Sequence, residues 1–404
     1  MDLHYDFLAP PKIVFGWGRR HEAGQLGRGL GTRAFLVTGA RRLAADGVIE
    51  ELTAALRAAG VEPIPLVEIH REPLVEDVDR AAKRLREQHC GDGDFLLAVG
   101  GGSAIDLAKA AAAMATNGEG ASVSDFLEGV GRGLAIERSP LPLLAMPTTG
   151  GTGSEATKNA VISSHDPTFK KSLRADPMLP RVVLVDPELA VSAPPNVTAQ
   201  AGMDAITQLI ESYTSRRARP IPRALAIEGL QRALPAIVEA VGNGASRPAR
   251  EAMAHAALLS GIALANSGLG MAHGVAAALG VVCDVPHGLA CAVMLPAALR
   301  MNREAAMREL AELERATAEA GQGAGNKGQK PRPGEDDDRV AADAFIERIE
   351  SIGLAIGIPR QLSEIGVRAD QIPALVGQSR GNSMSGNPRE ISDEELTQVL
   401  EQML

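Results

Sequence analysis

Phe95-Leu-Leu-Ala-Val99 runs directly into Gly100-Gly-Gly-Ser-Ala-Ile-Asp106-Leu-Ala-Lys109. Five apolar residues with no polar alternation read as a strand buried on both faces, the pattern of a parallel sheet. Three glycines end it, and Asp106 to Met114 continues as a helix. Glycines let phosphate oxygens approach the backbone, and a helix N-terminus offers free N–H groups and a favourable dipole. The run is neither G-x-G-x-x-G nor a Walker loop, so a tight strand-to-helix turn stands as the alternative.

Outward from this join the same alternation repeats. Ala34-Phe-Leu-Val-Thr38 reads as a buried strand ended by Gly39, and Ile49 to Ala59 as a helix ended by Gly60. Ile64 to Ile69 reads as a strand whose Pro65 suits an edge position, and Val75 to Gln88 as a helix. Leu143-Leu-Ala-Met146 and Val182-Val-Leu-Val185 are further strands. Strand and helix in turn predict a Rossmann-like α/β domain with a parallel sheet over residues 1–190. After Asp186–Pro195 the character changes. Ala199 to Ser215, Pro222 to Val241, Arg247 to Ala265, His273 to Leu279 and Gly288 to Asn302 all have helical length, as does Asp393 to Leu404. An all-helical domain over 191–404 is expected, interrupted at 319–339 by a Gly/Pro/charge-rich stretch that reads as a mobile surface insertion.

Composition narrows the function classes. Of 404 residues, 45% are hydrophobic and 23% charged, the balance of a soluble globular protein. The formal charge of -9 and an aromatic content of 2% argue against a nucleic-acid binder. Three cysteines, Cys90, Cys283 and Cys291, are too few and too irregular for a disulfide framework. No secretory signal or membrane span is evident, so the cytoplasm is the expected location.

Two further constellations carry chemistry. Pro147-Thr-Thr-Gly-Gly-Thr-Gly-Ser-Glu155 also follows a strand and offers hydroxyl and amide donors to an anionic or sugar-like ligand, or else is a structural loop. Two such loops at strand ends agree with binding at the carboxyl edge of one sheet. In the helical half, Asp204 and Gln208 lie four apart and share a helix face. His273 in Gly268-Leu-Gly-Met-Ala-His-Gly274 and His287 in Asp284-Val-Pro-His-Gly288 sit among small apolar residues. One carboxylate and two imidazoles suit iron, zinc or another divalent ion, with hydrogen-bonded core histidines as the alternative.

Taken in this order, these motifs resemble the group III (iron-type) metal-containing alcohol dehydrogenase family, within the dehydroquinate-synthase-like superfamily. The resemblance covers nearly the whole chain apart from 319–339. It rests on Gly100–Lys109, Pro147–Glu155, Asp186-Pro-Glu-Leu189 through Gly202-Met-Asp204, and the His273-to-His287 spacing. It implies a nicotinamide-dependent oxidoreductase interconverting a small alcohol with its aldehyde or ketone, as a homodimer or larger assembly. By position, Gly100, Gly101, Gly102, Ser103 and Asp106 would serve the pyrophosphate loop. Thr148, Thr149, Thr152, Ser154 and Lys171 would lie toward the rest of the cofactor. Asp204, His273 and His287 match three of four metal ligands and would be the catalytic centre. The fourth ligand is usually a histidine; here it is Gln208, and Ala277 stands where a histidine is frequent.

The end of the first predicted strand bears on NAD against NADP. Gly39 replaces the acidic residue that would favour a free ribose 2′-hydroxyl, and Arg41 or Arg42 would meet a 2′-phosphate. NADP(H) is therefore the leaning, with a solvated arginine pair as the other reading. Three rival functions predict different observations. A metal-independent, maleylacetate-reductase-like enzyme would survive chelation. A dehydroquinate-synthase-like lyase would turn over with no net change in nicotinamide absorbance. A non-catalytic nucleotide-binding protein would bind cofactor without turnover.

Overall fold

The structure is a computed structural model that describes residues 4–39, 41–318 and 334–404. The chain divides into two compact units, Leu8–Ser192 and a second running from Ala193 to Leu404 that also takes the described residues before Leu8.

Among its described residues the first unit carries eight strands and five α-helices, with short 3-10 turns between them. The strands are β1 (Ile13–Phe15), β2 (Arg33–Gly39), β3 (Glu62–Ile69), β4 (Asp94–Gly100), β5 (Leu143–Pro147), β6 (Asn159–His165), β7 (Thr168–Arg174) and β8 (Val182–Val185). The helices are α1 (Ala23–Arg28), α2 (Arg41–Ala45), α3 (Val48–Ala58), α4 (Val75–Glu87) and α5 (Gly102–Asn117). Six strands form one parallel sheet in the order β1-β8-β5-β4-β2-β3. The Pro65 strand, β3, is at its edge, where the missing N–H costs no ladder bond.

Why the central strands are apolar throughout is visible in where their side chains go. Leu96 and Ala98 join Phe35, Val37 and the α4–α5 residues Leu85 and Ile105 in one core. Phe95, Leu97 and Val99 join Ala34, Leu36 and the α3 residues Leu52 and Leu56 in the other. Both parities of β4 are buried, so its residues from Phe95 to Val99 are all apolar, and the one charged position, Asp94 at the strand's start, is paired with Arg33. Burying Phe35 or Phe95, each fully enclosed, contributes about 1.5–3 kcal/mol. The sheet order reverses between β2 and β4. Their carboxyl ends, Gly39 and Gly100, lie side by side, with Gly39 Cα 3.0 Å from where a Cβ on Gly100 would stand. In open parallel sheets such a reversal is where ligands bind.

The antiparallel hairpin β6–β7 was not expected from the sequence. Its strands mix Ser and Lys with apolar residues, and it belongs to no larger sheet. Its inward residues, Ala160, Ile162 and Leu173, pack into the α4–α5 core.

The second unit is helical among its described residues: α6 (Pro195–Thr214), α7 (Pro220–Gly242), α8 (Arg247–Ala265), α9 (Met271–Cys283), α10 (His287–Asn302), α11 (Met307–Ala318), α12 (Glu335–Ala355), α13 (Ile372–Gln378) and α14 (Asp393–Gln402). One Ala/Leu/Ile-rich core joins them. The expected insertion at 319–339 needs a correction. Residues 319–333 lie outside the described residues, but Glu335-Asp-Asp-Asp338 opens α12 rather than extending a loop. Acidic side chains suit a helix N-terminus, and Asp337 Oδ2 accepts from Gly334 N at 3.1 Å. No helix among the described residues is long and apolar enough to cross a membrane.

Candidate metal centre and dinucleotide loops

In the first unit the two Gly/Thr loops meet. Strands β4 and β5 end in register, Gly100 opposite Pro147, and Thr148 N donates to Gly100 O at 3.0 Å. A Cβ on Gly101 would lie 3.4 Å from Thr149 Oγ1, and one on Gly102 would fall 2.9 Å from Thr152 side-chain atoms. Glycine at 102 is therefore what lets the threonine loop close against the start of α5. Ala104 N and Ile105 N already bond Gly101 O, so the N–H groups of Gly102 and Ser103 precede the intrahelical ladder. Gly101, Gly102, Ser103, Thr149 and Thr152 are half-buried, whereas Thr148 and Ser154 are buried.

Beneath these loops is a charged network whose members the sequence placed on the cofactor or left unassigned. Ser154 Oγ donates to Asp106 Oδ1, and Val161 N donates to Asp106 Oδ2 at 3.0 Å. Lys109, fully buried, donates to Thr157 O at 3.1 Å, to Thr157 Oγ1 at 3.0 Å and to Asn159 O. Its Nζ is 3.6 Å from Asp106 Oδ1. Ser154 and Asp106 thus tie the threonine loop and β6 to α5. Lys171 lies on β7 opposite Ile162, one residue beyond the Val161 amide that Asp106 holds.

Burial pushes the neighbouring Glu155 carboxyl from 4.5 up to about 7, against the opposing pull of its own backbone N–H and Lys109. The folded state then keeps a proton that the unfolded chain releases, so this group's contribution to stability declines as pH rises from about 4.5 through about 7. The loss is about 3 kcal/mol at most. We expect Glu155→Gln to flatten the dependence of the urea-unfolding midpoint on pH between 5 and 8. An unchanged profile would locate the titration elsewhere.

In the second unit three helices converge. Asp204 and Gln208 face inward one turn apart on α6, His273 lies in the first turn of α9, and His287 is the first residue of α10. A Cβ on Gly288 would fall 2.6 Å from Gln200 O, so glycine there allows α10 to start hard against α6. His273 Nε2 is then 3.2 Å, and His287 Nε2 3.9 Å, from Asp204 Oδ1.

The first turn of α9 is held by side chains from elsewhere. Met271 N donates to Asn387 Oδ1 at 3.0 Å, and Ala272 N and His273 N donate to the Glu211 carboxylate at 2.7 and 3.3 Å. The same carboxylate meets His273 Nδ1 at 2.7 Å. With Nδ1–H donating to Glu211, Nε2 is the ring nitrogen that faces Asp204 Oδ1. A metal-ligating imidazole is oriented by a second partner in this way. Gln208 Nε2 donates to Asp204 Oδ1 at 3.1 Å, and its Oε1 accepts from Ser260 Oγ at 2.8 Å.

Ligand atoms of Asp204, His273, His287 and Cys291 all lie within 4.8 Å of one another. Three of the four residues are buried and His287 is half-buried. Burial disfavours the Asp204 carboxylate, but His273, His287 and Gln208 together hold its pKa below the ordinary range. Burial likewise opposes a charged His273, yet Cys291, Asp204 and Glu211 raise it well above the usual imidazole value. Burial pushes the Cys291 thiol up to about 11. Packed carboxylate, imidazole and sulfur donors around one point fit a divalent cation.

Glu211 and Cys291 were missed from sequence. Glu211 falls on the Asp204 face of α6, seven residues on, and Cys291 one turn after His287. Both spacings were legible, but neither residue type stood out in an ordinary helical context. Arg41 opens α2 immediately after Ala40, and Arg42 next to it is exposed.

An open parallel sheet with facing Gly/Thr loops has the form of a dinucleotide-binding unit, and the buried carboxylate–imidazole cluster has the donors of a divalent-cation site. Residues 10–187 match the family described as "Iron-containing alcohol dehydrogenase", and residues 198–404 match "Fe-containing alcohol dehydrogenase family, C-terminal". The NAD-dependent methanol dehydrogenase of Bacillus methanolicus is 30% identical over 400 residues, covering 99% of this chain and 100% of that protein. The 1,3-propanediol dehydrogenase of Citrobacter freundii is 32% identical over 403 residues, 98% of each. The crystal structure of a 1,3-propanediol oxidoreductase aligns with a TM-score of 0.88 at 29% identity, over 99% of this chain and 100% of that one. The chain belongs to the iron-containing alcohol dehydrogenase family.

Proposed function

We propose that the chain catalyses reversible hydride transfer between a small alcohol and its aldehyde or ketone, with Asp204, His273 and His287 holding one divalent cation, iron or zinc. The observation that carries this reading is the buried donor cluster with Glu211 behind His273. When bound, such a cation supplies Lewis acidity toward the substrate oxygen. Glu211 keeps the His273 proton on Nδ1, leaving Nε2 to donate its lone pair. Gln208 steadies the Asp204 carboxylate. The loops at Gly100–Ser103 and Thr148–Thr152 bind the dinucleotide, with Lys171 beyond them and with Ser154 and Asp106 positioning the threonine loop. Ala277 brings no titratable group one turn after His273, so proton exchange passes through water or a cofactor hydroxyl.

NADP(H) is the proposed coenzyme. Gly39 ends β2 without a carboxylate to repel a 2′-phosphate, and Arg41 and Arg42 follow it. The NAD dependence of the methanol dehydrogenase relative is the competing reading.

Elemental analysis of protein purified without chelator, paired with NADPH and NADH oxidation against a panel of small aldehydes before and after EDTA, tests both parts. About one equivalent of metal, loss of turnover on chelation and faster turnover with NADPH are expected. Turnover retained in metal-free protein would remove the cation from the chemistry, and a preference for NADH would overturn the coenzyme assignment.

A further inference from the structure

Cys291 has no role in the reading above, yet its Sγ lies inside the donor cluster. It is fully buried, it shares the 4.8 Å grouping with Asp204, His273 and His287, and it is 3.6 Å from His287 Nε2. It sits four residues after His287 on α10, so one helix face presents both donors. We propose that Cys291, as a thiolate, is the fourth protein ligand of the cation, and that Gln208 is a positioning residue for Asp204. The proposal rests on the metal reading of Asp204, His273 and His287.

The hydrogen bonds around Gln208 support this division. The amide nitrogen, which has no lone pair to give a cation, faces Asp204 Oδ1, and the amide oxygen accepts from Ser260. Ser260 is itself buried on α8.

Donor softness points the same way. One thiolate, two imidazoles and one carboxylate form a set better suited to zinc or ferrous iron than to harder cations. Forming the sulfur–metal bond replaces the S–H bond, and the proton leaves to solvent. Metal uptake at neutral pH therefore releases one proton more than ligation through Gln208 would.

The test is X-ray absorption at the zinc edge of the full chain loaded with one equivalent of zinc. The expected result is a sulfur shell at about 2.3 Å, retained in Gln208→Ala and lost in Cys291→Ser. Should Cys291→Ser not fold, a Cys90→Ser/Cys283→Ser double variant, which leaves Cys291 as its sole cysteine, must still show the sulfur shell. A bound zinc with only nitrogen and oxygen neighbours in the unaltered chain overturns the Cys291 assignment while leaving the three-residue metal site standing. Failure to retain zinc at all overturns both.

Discussion

Asp204→Ala is expected to abolish metal retention and to lower kcat/KM by about 10³–10⁴-fold, because Lewis-acid stabilisation amounts to several kcal/mol of barrier. Asp204 is the hub of the centre. Its Oδ1 is within 3.2 Å of both His273 Nε2 and Gln208 Nε2 and 3.9 Å from His287 Nε2. Removing it takes away the carboxylate donor and brings two imidazoles together with no anion between them. Glu211→Gln acts through His273 and the first turn of α9 rather than on the cation directly and should cost less, about 10–100-fold in metal affinity. Metal content by elemental analysis and turnover on the best aldehyde check both, with circular dichroism to show that each variant is folded. An Asp204→Ala protein that still binds metal and turns over would remove Asp204 from the site.

The second large effect is expected in the other unit. Lys109→Met should lower the stability of the sheet unit by about 3–5 kcal/mol, the usual cost of breaking a buried ion pair from one side. On a unit of this size that lowers Tm by about 10 °C. The Lys109 ammonium is the donor to Thr157 O, Thr157 Oγ1 and Asn159 O. It also lies beside Asp106 and offsets the buried Glu155. Methionine fills similar space but leaves those oxygens without the donor and Asp106 without its counter-charge. Because Glu155 is already pushed up to about 7, its protonation relieves part of the strain, so the deficit should be smaller at pH 5 than at pH 8. Thermal unfolding at the two pH values checks this. Equal deficits at both would mean that Glu155 does not respond to Lys109.

Lys109 also shows where sequence reading stopped. It was visible as the end of the Gly100–Lys109 run, and the glycine-to-helix join was read correctly because its logic is local: an apolar strand, three residues without side chains, then helical periodicity. What Lys109 does depends on Thr157 and Asn159, about fifty positions away, which come near only once α5 packs under the threonine loop. Ser154 and Asp106 illustrate the same limit. Each was placed toward the cofactor by position in the family resemblance, and their bond to each other was not visible from sequence. Hairpin β6–β7 escaped because its two strands form a sheet of their own outside the buried parallel sheet, so polar residues interrupt the apolar pattern that marks a buried strand. The acidic start of α12 escaped because a charge run beside glycines and prolines looks like loop, although the same charges suit a helix N-terminus.

The metal centre divides along the same line. Asp204, His273 and His287 were legible because polar side chains in small-residue, apolar surroundings must be satisfied by something, and their number suggested a cation. Glu211 and Cys291 belong to the same cluster, but an acidic residue late in a helix and a cysteine among alanines are ordinary in sequence. Sequence by itself determined the alternation of strand and helix, the two glycine-rich loops at strand ends, the change to an all-helical half and three members of the buried cluster, because each depends on a repeat or spacing within a few turns of chain. Only the tertiary structure decided which loop residues face one another, which carboxylate orients His273 and which sulfur joins the cluster. The last two depend on helices α6, α9 and α10 meeting between Asp204 and Cys291, at approaches that single glycines such as Gly288 permit, and the first on Gly102 leaving room for Thr152.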